Sequence, residues 1–206
     1  VECAEAIGHV PRVLYHWRCH TESTSENPFS KQYAVDAGRR AIEDHLKRQG
    51  IAGEVTATKD MGFYTVRYPY SGNPLVSIVI PSRDEVETLK KCLAAIQKTH
   101  YANYEAIVVE NNSTEAETFS YYEKIEKEFD FVHVVKWERE FNYSAINNFG
   151  VTYAKGEYLL FLNNDTEIIN PESLHEMLGF CQRSDVGIVG ARLLYSDDTI
   201  PVSYTH

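Results

Sequence analysis

The chain has 206 residues, 43% hydrophobic, 12% aromatic and 24% charged, a globular composition that excludes collagen and intrinsic disorder and supplies ample apolar material for a core. Its 20 Lys and Arg face 30 Asp and Glu, a formal charge of −10; residues 1–70 balance at nine of each sign, so the remainder carries the whole excess. Such a chain repels nucleic acid and anionic membranes unless it carries a basic stripe, and none is found, so a phosphate-bearing ligand needs a cation or aimed backbone amides.

Residues 9–19, HVPRVLYHWRC, are apolar and aromatic, and TESTSENPFS after them reads as a polar loop. From Lys31 to Arg48 the apolar positions Tyr33, Ala34, Ala37, Ala41, Ile42 and Leu46 fall on one face of an amphipathic helix, which Gly50 ends by permitting a left-handed cap. Glu54 to Thr58 and Phe63 to Tyr68 are two short alternating strands. The Ser-Gly-Asn-Pro turn at 71–74 is the expected domain boundary.

The pattern then becomes regular. Apolar strands are expected at 75–81, 104–110, 131–137, 157–163 and 186–195, with helices at 85–98, 115–128, 143–155 and 171–183 between them. Strands without polar alternation, separated by helices of this length, predict a mostly parallel sheet covered on both faces, a doubly wound α/β unit preceded by a small α+β segment. Ligands of such sheets bind beyond the carboxyl ends of the strands. Here those ends are Pro81 to Glu85, Glu110 to Thr114 and Asn163 to Glu167, where polar residues gather.

No apolar run approaches the roughly 18 residues of a membrane span, and the start lacks a secretory pattern. Cys3, Cys19, Cys92 and Cys181 have no metal-type spacing and read as reduced thiols, which points to a cytoplasmic location. The start at Val1 and the end at Ser-Tyr-Thr-His suggest a fragment.

FLNNDTE is the most informative loop. An apolar strand that stops at Asn163, Asn164 and Asp165 sets amide oxygens and a carboxylate at the sheet edge, donors suited to Mg2+ or Mn2+ and a bridged diphosphate. The alternative is a helix cap, but Asn170 and Pro171 are better placed to start the next helix. In PSRDE, Ser82, Arg83, Asp84 and Glu85 either face a ligand or, for Asp84 and Glu85, cap the helix and complement its dipole. Glu110 either accepts the imide N–H of uracil or thymine, or bonds the amides of Asn112 and Ser113.

Three strings in this order, VSIVIPSRDEVETLKKCLAAI, YEAIVVENNSTEAET and FNYSAINNFGVTYAKGEYLLFLNNDTEI, resemble the family 2 glycosyltransferases, GT-A fold enzymes that use nucleotide-diphosphate sugars. The resemblance spans roughly Leu75 to Ile200. It implies that Pro81, Ser82, Arg83, Glu85 and Glu110 line the nucleotide pocket. It also implies that Asn147, Asn148 and Gly150 lie on a helix facing the donor, and that Asn163, Asn164 and Asp165 fill the metal-binding DXD position. Two residues depart from the pattern: Glu110 stands where Asp is usual, and Asn163 replaces the first Asp of DXD, leaving Asp165 as the anionic metal ligand.

HVPRVLYHWRCHTESTS resembles the closing segment of such a domain, with Arg18, His20 and Ser23 at the positions of its Arg-X-His-X-X-Ser pattern. The resemblance therefore implies a tandem enzyme. Residues 1–46 would be the tail of an upstream glycosyltransferase domain, 47–74 a connector, and 75–206 the donor-binding half of a second domain, with the general base beyond His206. The implied activity is metal-dependent, inverting transfer of a sugar from a nucleotide-diphosphate donor to a glycan or lipid-linked glycan acceptor, in bacterial surface polysaccharide synthesis. The inner face of the membrane is an alternative placing within the cytoplasm. Against it stand a catalytically inactive nucleotide-binding or scaffold module, which Asn163 permits, and a haloacid-type phosphotransferase, whose nucleophilic Asp is missing at that position. No G-X-G-X-X-G follows the first strand, which disfavours a nicotinamide dehydrogenase.

Overall fold

The computed structural model describes residues 4–16 and 32–200, and contacts divide the chain between Arg67 and Tyr68 into two units. Arg18, His20 and Ser23 lie outside the described residues. In the first unit, helix α1 (Gln32–Arg48) precedes an antiparallel pair, β1 (Glu54–Ala57) and β2 (Tyr64–Arg67), in which Glu54 lies opposite Arg67. Gly50 closes α1 at φ 66°, and the Ile51 amide returns to the carbonyl of Leu46, the expected left-handed cap. Among the described residues of this unit, Leu46 and Val55 are the buried apolar side chains.

The second unit alternates strands and helices: β3 (Val76–Ser82), α2 (Val86–Gln97), β4 (Tyr104–Glu110), α3 (Ala116–Glu128), β5 (Val132–Lys136), α4 (Tyr143–Val151), β6 (Tyr158–Phe161) and α5 (Ser173–Cys181). The sheet is parallel in the order β5-β4-β3-β6, so the first strand is internal and the winding reverses across it. Ile78 and Ile80 of β3, Ala106 and Val108 of β4 and Val132 of β5 share one face with Leu89, Leu93 and Ile96 of α2, Tyr122 and Ile125 of α3, and Leu174 and Leu178 of α5. The opposite face, Val79, Ile107 and Val109, is covered by Ile146 of α4. Each fully buried Ile or Leu contributes about 1.5–3 kcal/mol, which is why the apolar runs of β3 and β4 occupy the middle of the sheet.

The turn at 71–74 lies inside the second unit. Ser71 N–H donates to Gln182 Oε1 (2.8 Å), Gln182 Nε2 returns a bond to the Ser71 carbonyl (3.0 Å), and Tyr101 Oη donates to the Pro74 carbonyl. Asn170 caps a turn just before α5, accepting the Glu172 amide at 3.1 Å, and the helix itself starts at Ser173.

One expected element does not form. VGIVGARLLY, 186–195, pairs with no strand among the described residues, and Ile188 is 92% exposed. Apolarity records a need for burial, but it does not select the strand edge that takes the backbone hydrogen bonds. β6, the edge strand before it in sequence, is laddered to β3 alone.

Candidate active site

Three connections leave the carboxyl ends of β3, β4 and β6. Asp84, Glu85 and Asn112 all have positive φ, 48°, 55° and 55°. Such values are uncommon without glycine and concentrate where function constrains the backbone.

Asp84 shows what the first loop does. Its carboxylate accepts the amides of Thr114 (3.0 Å) and Glu115 (3.1 Å) and the Thr118 hydroxyl (3.2 Å), while its own N–H donates to Ser113 Oγ (3.0 Å). Asp84 therefore caps α3, the helix after the neighbouring strand, and not α2, the helix that follows it in sequence. Partial desolvation opposes its ionisation, but the hydrogen bonds from Glu115, Thr114 and Thr118 outweigh it and hold the carboxyl below its ordinary range.

The expected donor-site residues fall into two sets. Ser82, Glu110 and Asn164 are tied into the fold. The buried Ser82 hydroxyl accepts from Tyr122 Oη (3.3 Å) and Asn164 Nδ2 (3.5 Å), linking β3, α3 and the loop after β6. Glu110 is buried, and its Oε1 accepts the Ser113 amide at 2.6 Å, a bond within the turn after β4. Pro81, half-buried at the end of β3, adjoins this set. By contrast Arg83, Glu85, Asn148, Asn163 and Asp165 are exposed, and none of their side chains has a hydrogen-bond partner among the described residues.

Two residues outside the expected set hold the crevice wall. Asn111 Nδ2 donates to the carbonyls of Trp137 (3.1 Å) and Arg139 (3.0 Å), and Asn112 Nδ2 to Arg139 (2.9 Å), fixing the segment before α4 to the end of β4. Asn142 caps α4 by accepting the Ala145 amide at 2.9 Å. The bonds of Asn111 span 26 and 28 residues, a separation that no local sequence signal reaches.

Beneath the loop after β6, Cys92 Sγ approaches the Asn163 carbonyl at 3.7 Å. Burial, reinforced by the carboxylates of Asp165 and Glu167, pushes its thiol up to about 12, so it is an inert core group. Among the described residues no three His, Cys, Asp or Glu side chains converge on a metal site. The donor set at Asn163 to Asp165 is one carboxylate with two amide oxygens. That set suits Mg2+ or Mn2+, which take one or two protein carboxylates and complete their shell with substrate phosphates and water.

The profile of the glycosyl transferase family 2 matches residues 77–205, more than half of the chain and all three loops. The chain belongs to glycosyl transferase family 2. This family 2 chain is 41% identical over 196 residues to y4gI, an uncharacterized protein of Sinorhizobium fredii, covering 94% of this chain and 22% of that one. It is 39% identical over 202 residues to the O-antigen biosynthesis protein RfbC of Myxococcus xanthus, covering 97% and 16%. The family 2 chain thus spans about a fifth of the length of these relatives. Among solved structures, the mannosyltransferase PcManGT of Pyrobaculum calidifontis, in complex with GDP-Man and Mn2+, superposes with a TM-score of 0.54 at 17% identity. That match covers 75% of this chain and 43% of PcManGT and supports the GT-A fold. No helix among the described residues is long and apolar enough to cross a membrane.

Proposed function

We propose that the carboxyl end of this sheet binds a nucleotide-diphosphate sugar, with a divalent cation, for inverting transfer to a glycan acceptor in bacterial surface polysaccharide synthesis. One observation carries the reading. In a family 2 chain, the five open polar side chains Arg83, Glu85, Asn148, Asn163 and Asp165 lie on segments at or beside the carboxyl ends of the strands, on backbone fixed by Asp84, Ser82 and Asn111. The name of RfbC supports the polysaccharide role, and the bound GDP-Man and Mn2+ of PcManGT support the donor and metal.

Asp165, aided by the amide oxygens of Asn163 and Asn164, would hold the cation. When bound, that ion supplies the positive charge that offsets the leaving diphosphate, a need made acute by the net −10 of this chain. Arg83 adds the one cationic side chain of the first loop. Glu110 keeps the base-reading role beside its bond to Ser113, and residues 1–46 and 47–74 remain proposed as the tail of an upstream domain and a connector.

Calorimetric titration of the full-length protein with UDP-, GDP- and dTDP-sugars, with Mn2+ and then with excess EDTA, tests this. Binding that needs the metal and weakens about thirtyfold or more in Asp165→Asn is expected. Binding indifferent to EDTA and to Asp165→Asn would overturn the metal role. Absence of any nucleotide-sugar binding would favour a scaffold module.

A further inference from the structure

Tyr122 lies on α3 with 4% of its surface exposed, and its ring belongs to the core that α2, α3 and α5 form with the sheet. A phenylalanine would fill the same apolar space, so the hydroxyl is the part that calls for a reason: a buried polar group costs free energy unless it is bonded. Its neighbours belong to the carboxyl end of the sheet. Oη donates to Ser82 Oγ at 3.3 Å, and the Ser113 side chain, in the loop after β4, is a further hydrogen-bond partner. Burial raises the phenol above its ordinary range, the bonds to Ser82 and Ser113 oppose this, and the carboxylates of Glu110 and Asp84 add to it. The hydroxyl therefore keeps its proton and stays a donor.

Two connections make this hydroxyl a fixed point for the loops. Thr118, one turn earlier on the same face of α3, is fully buried and donates to Asp84 Oδ1 (3.2 Å), the carboxylate that also takes the Thr114 and Glu115 amides, so the start of the helix is anchored to the first loop. Ser82 in turn takes a second donor, Asn164 Nδ2, at 3.5 Å. Tyr122 and Asn164 together fill both acceptor positions of the Ser82 oxygen. Asn164 is the tether of the loop after β6: the side chains of Asn163 and Asp165 on either side of it are exposed and have no hydrogen-bond partner among the described residues. An amide held by its nitrogen has its oxygen left to meet a cation.

Resting on the donor and metal reading of this end, we propose that Tyr122 is a positioning residue whose hydroxyl, through Ser82 and Asn164, holds the cation-binding segment 163–165 in register with the loop that carries Glu110. Tyr122 itself, buried in the core, needs no contact with a ligand. It restrains where Asn164, and with it Asp165, stands before the cation arrives, so less ordering remains to be done on binding. One hydroxyl thereby links the nucleotide side of the crevice to its metal side.

The test is Tyr122→Phe in the full-length protein, which removes the hydroxyl and keeps the ring. Calorimetry follows binding of the UDP-, GDP- or dTDP-sugar that the wild type takes, over a series of Mn2+ concentrations, and the thermal midpoint of the ligand-free protein is measured alongside. The Mn2+ concentration for half-maximal binding is expected to rise about fivefold, the weight of one net hydrogen bond, and excess Mn2+ is expected to restore binding. A merely structural hydroxyl would lower the thermal midpoint and leave the Mn2+ requirement where it stands. An unchanged Mn2+ requirement, or a loss of binding that excess Mn2+ does not restore, would overturn the role of Tyr122 while the donor site stands. If the phenylalanine variant does not fold, Ser82→Ala, which removes the oxygen on which both bonds end, decides by the same titration: the same rise supports the proposal and an unchanged Mn2+ requirement overturns it. A wild-type protein that binds no nucleotide sugar, or binds one without regard to Mn2+, would overturn both this proposal and the reading it rests on.

Discussion

The two ends of the parallel sheet solve opposite problems with the same kinds of residue. At the amino ends, Glu105, Ser77, Lys155 and Gly156 form a closed set. Ser77 Oγ donates to Glu105 Oε1 (2.6 Å) and accepts the Gly156 amide, while the same carboxylate oxygen takes the Lys155 amide. None of the described non-glycine residues there has a positive φ, and the buried carboxylate has protein partners. At the carboxyl ends, three non-glycine residues sit in the left-handed region, and among the described residues five polar side chains have no hydrogen-bond partner and the buried Asn147 oxygen has none. A polar cluster closed on itself in the interior contributes stability, whereas exposed, hydrated side chains contribute little to it and leave that end free for the proposed ligand.

This contrast can be broken by exchanging what each end loses on mutation. Glu105→Ala leaves the buried Ser77 hydroxyl and the part-buried Lys155 amide without their shared acceptor and is expected to cost about 2–4 kcal/mol. Asp165→Asn, at an exposed position, should stay within about 0.5 kcal/mol of wild type while losing metal-dependent donor binding. Urea unfolding of both variants reads the comparison directly; an Asp165→Asn cost as large as that of Glu105→Ala would erase it.

Asp84 sharpens the contrast at lower amplitude, because it is the structural residue of the open end. Its folded carboxyl is held below the ordinary value, so it contributes stability that is present above the unfolded value, about 3.9, and is lost as pH falls through the depressed folded value. Asp84→Asn is therefore expected to lower the urea midpoint at pH 6 and to narrow its gap from wild type near pH 3. Parallel pH curves for the two proteins would show that the carboxylate is not the cap.

Much of this was legible in the residues. The helix and strand order of the second unit follows from its apolar periodicity, and α1 with its Gly50 cap from period and punctuation. The three loops declared themselves because polar residues stop apolar strands abruptly. The strand expected at 186–195 does not form although β6 is laddered to β3 alone and leaves its other edge free, so apolar periodicity by itself does not encode strand pairing. Asp84 capping α3, Asn111 reaching Arg139 and Ser82 gathering Tyr122 and Asn164 join residues 28 to 82 positions apart, so only the folded topology reveals them. Asn147 stood beside Asn148 in sequence as an equal candidate, and burial alone separates the enclosed oxygen of one from the exposed side chain of the other.

The central claim is that the carboxyl end of the sheet is the working end. Amide hydrogen exchange of the full-length protein, with and without a nucleotide sugar and Mn2+, tests it most directly. Protection on ligand addition is expected at residues 81–85, 110–114, 139–148 and 163–167, with exchange unchanged at 75–77, 103–105 and 155–157. Protection centred on the Glu105 and Gly156 end would contradict the account.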